Sequence, residues 1–261
     1  MIGVPTDHTE AGLKKKKTEA FRKELIMKRI LALSTLAIAV AVLAFGRTGR
    51  GQVGAELVSF PTQDGGHIYA NLYGKGERGV VLAHGGRFNK ESWDKQAREL
   101  VQAGFRVLAI DFRGRGKSRG GAQAKAPDNG VRFDVLAAIR YLRKSGAKTV
   151  SVVGASFGGG AAAEASIETE PGEIDRLILL AHSPIDKPEQ MKGRKLFILT
   201  RDDFSGDNKI PRLPKIRDQY ERAPGPKELV ILDGSAHAQF IFETEQGERL
   251  MREILRFLSA S

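Results

Sequence analysis

The sequence predicts one α/β domain over residues 56–261, built on a mostly parallel central sheet of about eight strands with helices on both faces. Three observations lead there. Short β-branched runs alternate with helical stretches at the spacing of βαβ units. The middle runs are continuously apolar, as strands buried on both faces must be. Lys148 to Ala163 passes from strand to Ala-rich helix through Gly154-Ala155-Ser156-Phe157-Gly158 with no spacer.

In order, Glu56–Phe60 and His67–Tyr73 alternate polar and apolar around Gln63-Asp64-Gly65-Gly66, the pattern of a hairpin. Gly79–Ala83 is an apolar third strand running into His84-Gly85-Gly86-Arg87. Glu91–Ala103 has helical spacing, with Trp93, Ala97, Leu100 and Val101 on one face and Gly104 as its stop. Phe105–Ile110 is a strand ending in Asp111-Phe112-Arg113-Gly114, and Asn129–Lys144 is a helix burying Phe133, Leu136, Ala137, Ile139 and Tyr141. The run from Thr149 to Val153 supplies the central strand, and Leu177–Ala181 and Lys195–Thr200 supply two more. A helix over Leu213–Arg222, a strand over Glu228–Leu232 and a helix over Gln246–Leu258 complete the domain.

Ahead of it, residues 1–29 are polar and Lys-rich, and Ile30–Phe45 is a run of sixteen uncharged residues. As a helix that run is roughly 24 Å long, against about 30 Å of bilayer hydrocarbon. Met27-Lys28-Arg29 followed by the run reads as the n-region and h-region of an export signal, with Met27 as an alternative start. Residues 30–46 are thus expected to be an export signal or a membrane anchor, with 47–55 as linker. Cleavage sites follow Gly46 and Ala55; uncleaved, the basic flank keeps the N-terminus in the cytoplasm and the domain outside. The expectation is a periplasmic, secreted or singly anchored protein that touches membrane only through this segment.

Charge is uneven. Residues 1–50 hold ten Lys/Arg against four Asp/Glu, so +6 of the +11 sits there and +5 remains for 211 residues. That surplus is ordinary solvation, and no nucleic-acid partner is expected. The absence of cysteine excludes disulfides, Cys-ligated zinc and a thiol nucleophile. No His or carboxylate pair has metal-ligand spacing, so neither metal nor cofactor is expected.

The chemistry centres on the Gly154–Gly158 turn. A sharp turn between strand and helix projects a Ser hydroxyl above the sheet, and small neighbours make room for it. The pentapeptide alone is weak evidence, because Gly116-Lys117-Ser118-Arg119-Gly120 repeats the pattern. No helix follows that copy, and Ser118 is read as a loop residue. Ser156 is the candidate nucleophile. Small residues after the third strand offer backbone N–H groups to a developing negative oxygen. Asp202 and Asp203 follow the strand Lys195–Thr200, and His237 follows Glu228–Leu232 in Gly234-Ser235-Ala236-His237.

Together these segments resemble the α/β-hydrolase family over Glu56 to Ser261: His84-Gly85, the Asp111–Ser118 loop, the elbow, the late acid and the His in Gly-Ser-Ala-His. The resemblance implies a serine hydrolase acting on carboxylic esters through an acyl-enzyme, with Ser156 as nucleophile, His237 as base and the N–H groups of Gly86 and Phe157 as the oxyanion hole. A peptidase or thioesterase would use the same groups, and a binding protein could keep the fold without turnover. The family's Gly-x-x-Asp pattern puts the acid at Asp203, although Thr200 stands where that Gly belongs; Asp202 and Asp207 are the other candidates. His84 is expected to order its loop, His182 to be a strand-end residue or to border the pocket, and His67 to be exposed. Only some twenty residues separate Ala181 from the acid, so no cap domain is expected and the site should be open.

Overall fold

The computed structural model describes residues 22, 27, 54–122, 130–205 and 210–260. The chain divides into two units, residues 1–52 and 53–261, and the second carries the fold described below. The apolar segment 30–46, the linker up to residue 53 and Asp207 lie outside the described residues. Among the described residues, no helix is long and apolar enough to cross a membrane.

Strands β1 (Glu56–Pro61) and β2 (His67–Tyr73) form the expected antiparallel hairpin, with Phe60 opposite Ile68. The other strands of the main sheet are β3 (Arg78–Ala83), β4 (Phe105–Ile110), β5 (Thr149–Ala155), β6 (Arg176–Leu180), β7 (Arg194–Thr200) and β10 (Lys227–Leu232). They join in the order β1-β2-β4-β3-β5-β6-β7-β10, and every pairing from β4 to β10 is parallel. The eight-stranded, mostly parallel sheet is the predicted one. Its central strands are buried along nearly their whole length, which is why they read as unbroken apolar runs. A two-strand ribbon, β8 (Phe204–Ser205) with β9 (Ile210–Pro211), was not predicted; two residues per strand leave no periodicity to read.

The helices are α1 (Asp94–Gln102), α2 (Arg132–Lys144), α3 (Phe157–Glu168), α4 (Leu213–Arg222) and α5 (Gly247–Ser259). The helix expected from Glu91 is a 3-10 turn, Lys90–Trp93, followed by α1, with Asn89 capping the turn by accepting from Ser92 N–H. The second helix starts at Arg132 instead of Asn129. The strand expected at Leu177–Ala181 lies one residue earlier, because Ala181 turns to φ 43°. Between β6 and β7 there is only a 3-10 turn at Pro188–Gln190, so no cap covers the carboxyl ends of the strands.

Candidate active site

Gly154 and Ala155 continue β5, and the turn is made by Ser156 alone, at φ 50° and ψ −115°. That conformation is costly for a residue with a Cβ and persists only when its surroundings impose it. Here they do: Ser156 N–H donates to the Leu180 carbonyl at 2.9 Å, and its own carbonyl accepts from Gly159, Gly160 and Ser183 N–H at 3.0, 3.1 and 2.9 Å. The glycines around it are contact requirements. A Cβ on Gly158 would stand 2.5 Å from the carbonyl oxygens of Ala83 and His84, and one on Gly159 would stand 2.5 Å from His182 Cβ. The elbow sequence thus reflects how closely α3 packs on the ends of β3 and β6.

The strand ends bring the other groups to this point. His237 Nε2 lies 2.8 Å from Ser156 Oγ, and its Nδ1 lies 2.7 Å from Asp203 Oδ2. With its hydrogen on Nδ1 the imidazole donates to the carboxylate and leaves Nε2 to accept the hydroxyl. Asp203 is 1 % exposed. Asp202 is exposed and joins the His loop only through its backbone, N–H to Gly234 carbonyl at 3.0 Å. Of the two carboxylates described, Asp203 therefore meets the imidazole. Thr200, at the position of the expected Gly, donates from Oγ1 to the Ala236 carbonyl at 2.9 Å.

Across the cavity, the N–H of Gly85 is taken by Gln239 Oε1 at 2.7 Å. The N–H groups of Gly86 and Phe157 have no acceptor among the described residues. They belong to neighbouring backbone: a Cβ on Gly86 would stand 3.8 Å from Phe157 Cβ. The Gly86 carbonyl accepts from the Arg115 guanidinium, which holds the loop from outside. His84 is buried and orders this loop, as expected, with Nδ1 2.8 Å from the Gly85 carbonyl and Nε2 accepting from Phe112 N–H at 3.3 Å; burial pushes its imidazole down.

Ser118 and His182 have structural surroundings. Ser118 is buried, donates to the Asp111 carbonyl and accepts from Tyr69 N–H, both at 2.9 Å, which fastens its loop to β2. In the same loop Arg113 pairs with Asp64 at 2.8 Å and Asp134 at 2.7 Å. His182 lies at the end of β6 and does not line the cavity; its ring meets Phe197 edge-on at 5.4 Å. Complete burial pushes its imidazole down to about 4, against a smaller opposing effect of the Gln219 amide. His67 is exposed.

A cavity of about 400 Å³ opens over Ser156 and His237. Phe88, Phe157, Phe204 and Phe240 form its apolar walls, Phe88 and Phe240 with ring centres 4.9 Å apart. Arg87 and Arg212 also line it. Arg212 Nε stands 3.3 Å from Asp203 Oδ1, an ion pair without hydrogen-bond alignment. Neither Gln239 nor Arg212 is a legible site residue in the sequence, since a lone Gln and a lone Arg carry no motif. The Thr at the Gly position was the one visible signal of the Ala236 tether. Among the described residues, no group of three or more His, Asp or Glu side chains could hold a metal ion. The arrangement is suited to moving a proton between a hydroxyl and an imidazole beside two backbone amide donors that no described residue accepts from.

A family model described as the alpha/beta hydrolase fold matches residues 79–242. A non-heme haloperoxidase of Rhodococcus erythropolis is 32% identical over 121 residues, 46% of this chain and 42% of that protein. A bifunctional esterase/perhydrolase of Acinetobacter calcoaceticus is 31% identical over 124 residues, 47% and 44% of the two chains. The matched segments thus span less than half the length of these curated relatives. Among solved structures, an esterase of Pyrococcus furiosus superposes with a TM-score of 0.63 at 19% identity, over 80% of this chain and 94% of that one. At that identity the likeness shows the fold alone.

Proposed function

As the chain belongs to the alpha/beta hydrolase fold family, we propose that it is a serine hydrolase that cleaves carboxylic esters through Ser156, His237 and Asp203. The observation that carries this reading is the hydrogen-bonded line from the Ser156 hydroxyl through the imidazole to the buried carboxylate, at 2.8 and 2.7 Å. In the proposed reaction Ser156 Oγ attacks the ester carbonyl as His237 Nε2 takes its proton. The N–H groups of Phe157 and Gly86 bind the resulting oxyanion, and the imidazolium returns the proton to the departing alcohol. Water, deprotonated by the same imidazole, then releases the acid from Ser156. Asp203 holds the tautomer and stabilises the imidazolium. The open, capless cavity and the esterase named among the relatives support an ester over a buried substrate.

The test is hydrolysis of p-nitrophenyl esters of increasing chain length together with labelling by a fluorophosphonate. Turnover and labelling at Ser156, both lost in Ser156→Ala and reduced at least about 10³-fold in His237→Ala, are expected. A folded protein that shows neither is a binding module. The haloperoxidase and perhydrolase relatives favour a second reading, in which hydrogen peroxide replaces water in the last step and the product is a peracid. Peroxide-dependent bromination of a phenol-type dye in the presence of bromide and the carboxylic acid, in which the peracid oxidises bromide to hypobromite, absent in Ser156→Ala, would establish it.

A further inference from the structure

We propose that the cavity selects esters carrying a carboxylate, which Arg87 and Arg212 hold while the phenylalanine walls take the apolar part of the same molecule. The inference rests on the ester-hydrolase reading and adds the class of substrate to it.

Among the described residues, two guanidinium groups and no carboxylate line the cavity. The one acid close to it, Asp203, is 1 % exposed and is already faced by His237 and Arg212. Among the described residues the cavity therefore keeps a surplus of positive charge, while Arg87 also borders an adjoining cavity that Glu91 and Asp111 line. Arg87 is exposed and makes no ion pair or side-chain hydrogen bond among the described residues, so its guanidinium is available to a ligand. Arg87 directly follows Gly86, the residue whose N–H would hold the ester oxygen. Arg212 arrives on a separate element, at the start of α4; its Nε faces Asp203 while its side chain remains 27% exposed. Its terminal nitrogens make no hydrogen bond among the described residues. Guanidinium groups suit this task because they stay charged at every working pH and match a carboxylate with two parallel N–H groups. Phe88 and Phe240, in ring contact, line the same cavity, so a ligand that satisfies it carries an apolar part and an anionic end.

The test compares 4-acetoxybenzoate with 4-acetoxybenzamide, which share the acetyl group and ring and differ in charge, using the full chain. The expected kcat/KM ratio favours the benzoate at least tenfold in low salt, falls as salt is raised, and falls tenfold or more in Arg87→Gln. Calorimetric binding to Ser156→Ala supplies a readout without turnover: 4-hydroxybenzoate should bind at least tenfold more tightly than 4-hydroxybenzamide. If both esters are hydrolysed with a ratio at or below one that salt does not move, anion selection is overturned and the ester-hydrolase reading stands. If neither ester is hydrolysed and a fluorophosphonate does not label Ser156, the underlying reading fails and this proposal with it. Should Arg87→Gln fail to fold, the salt dependence and the binding pair decide.

Discussion

The Thr200 hydroxyl donates a 2.9 Å hydrogen bond to the carbonyl of Ala236, the residue before His237. It ties the end of β7, from which the Asp203 turn departs, to the loop after β10 that carries the imidazole. The two neighbouring strands already fix their own relative height by parallel pairing, with Leu232 beside Thr200. The hydroxyl adds to that registration past the end of the strands, where Asp202 N–H also donates to the Gly234 carbonyl at 3.0 Å. Thr200→Val keeps the volume and removes the donor, leaving the Ala236 carbonyl without this partner at a cost of about 1 kcal/mol. The expected result is about a tenfold loss of kcat on a p-nitrophenyl ester with KM little altered and Ser156 still labelled, measured by steady-state kinetics.

Gln239 acts on the other wall. Its Oε1 accepts the Gly85 N–H at 2.7 Å and its Nε2 donates to Ser92 Oγ at 2.9 Å, so one amide joins the His loop, the loop after β3 and the turn before α1. Gln239→Leu strands the buried Gly85 N–H, a loss of about 1–3 kcal/mol. Urea unfolding should show that loss of stability, and kcat should fall by roughly tenfold to a hundredfold as the Gly86 amide drifts from its position.

The φ of 50° at Ser156 predicts opposing effects on stability and activity. Both Ser156→Ala and Ser156→Gly remove the nucleophile, but only glycine adopts that backbone without steric cost. Thermal unfolding should rank Ser156→Gly above Ser156→Ala by about 1 kcal/mol. Equal stabilities would mean that the turn is not strained.

His182 predicts a pH effect of definite sign. Burial pushes its imidazole down to about 4, from the ordinary 6.5 that it regains on unfolding. Between those values the unfolded chain binds the proton and the folded chain does not, so this residue's contribution is present above about 6.5 and is lost as pH falls toward 4. Asp134, pushed up to about 6 by burial, acts in the opposite sense over part of the same range. The quantity to measure is therefore the difference between wild type and His182→Asn. Urea unfolding at pH 7.0 and pH 4.5 should show the wild-type advantage shrinking by about 2–3 kcal/mol at the lower pH. Because Gly159 packs on His182 Cβ and Ser183 N–H holds the Ser156 carbonyl, fluorophosphonate labelling should decline with it.

Most of the architecture was legible because sheet strands buried on both faces and helices buried on one have different apolar periods, and these are local properties. The eight strands of the main sheet and the five helices follow from them, with displacements at their ends. The displacements arise where a nonlocal contact decides: Ala155 stays in β5 because it pairs with Leu180, and Ala181 leaves β6 where the chain turns. The ribbon β8–β9 and the 3-10 turn after His237 are too short to carry a period.

For the site, sequence alone determined which residue types were present in which order: a Ser in a glycine-rich turn between strand and helix, acids after β7, a His after β10, and small residues after β3. The family's Gly-x-x-Asp pattern favoured Asp203, but residue types alone did not separate it from adjacent Asp202, because one peptide step reverses the direction of a side chain. The register of β7 with β10 and the turn beyond it made that choice, burying one carboxylate against the imidazole and turning its neighbour to solvent. Nor could composition reveal that Gln239 would occupy the Gly85 amide, or that Arg87 and Arg212 would share one cavity. Those are meetings between residues far apart along the chain, and only the assembled sheet brings their strand ends together.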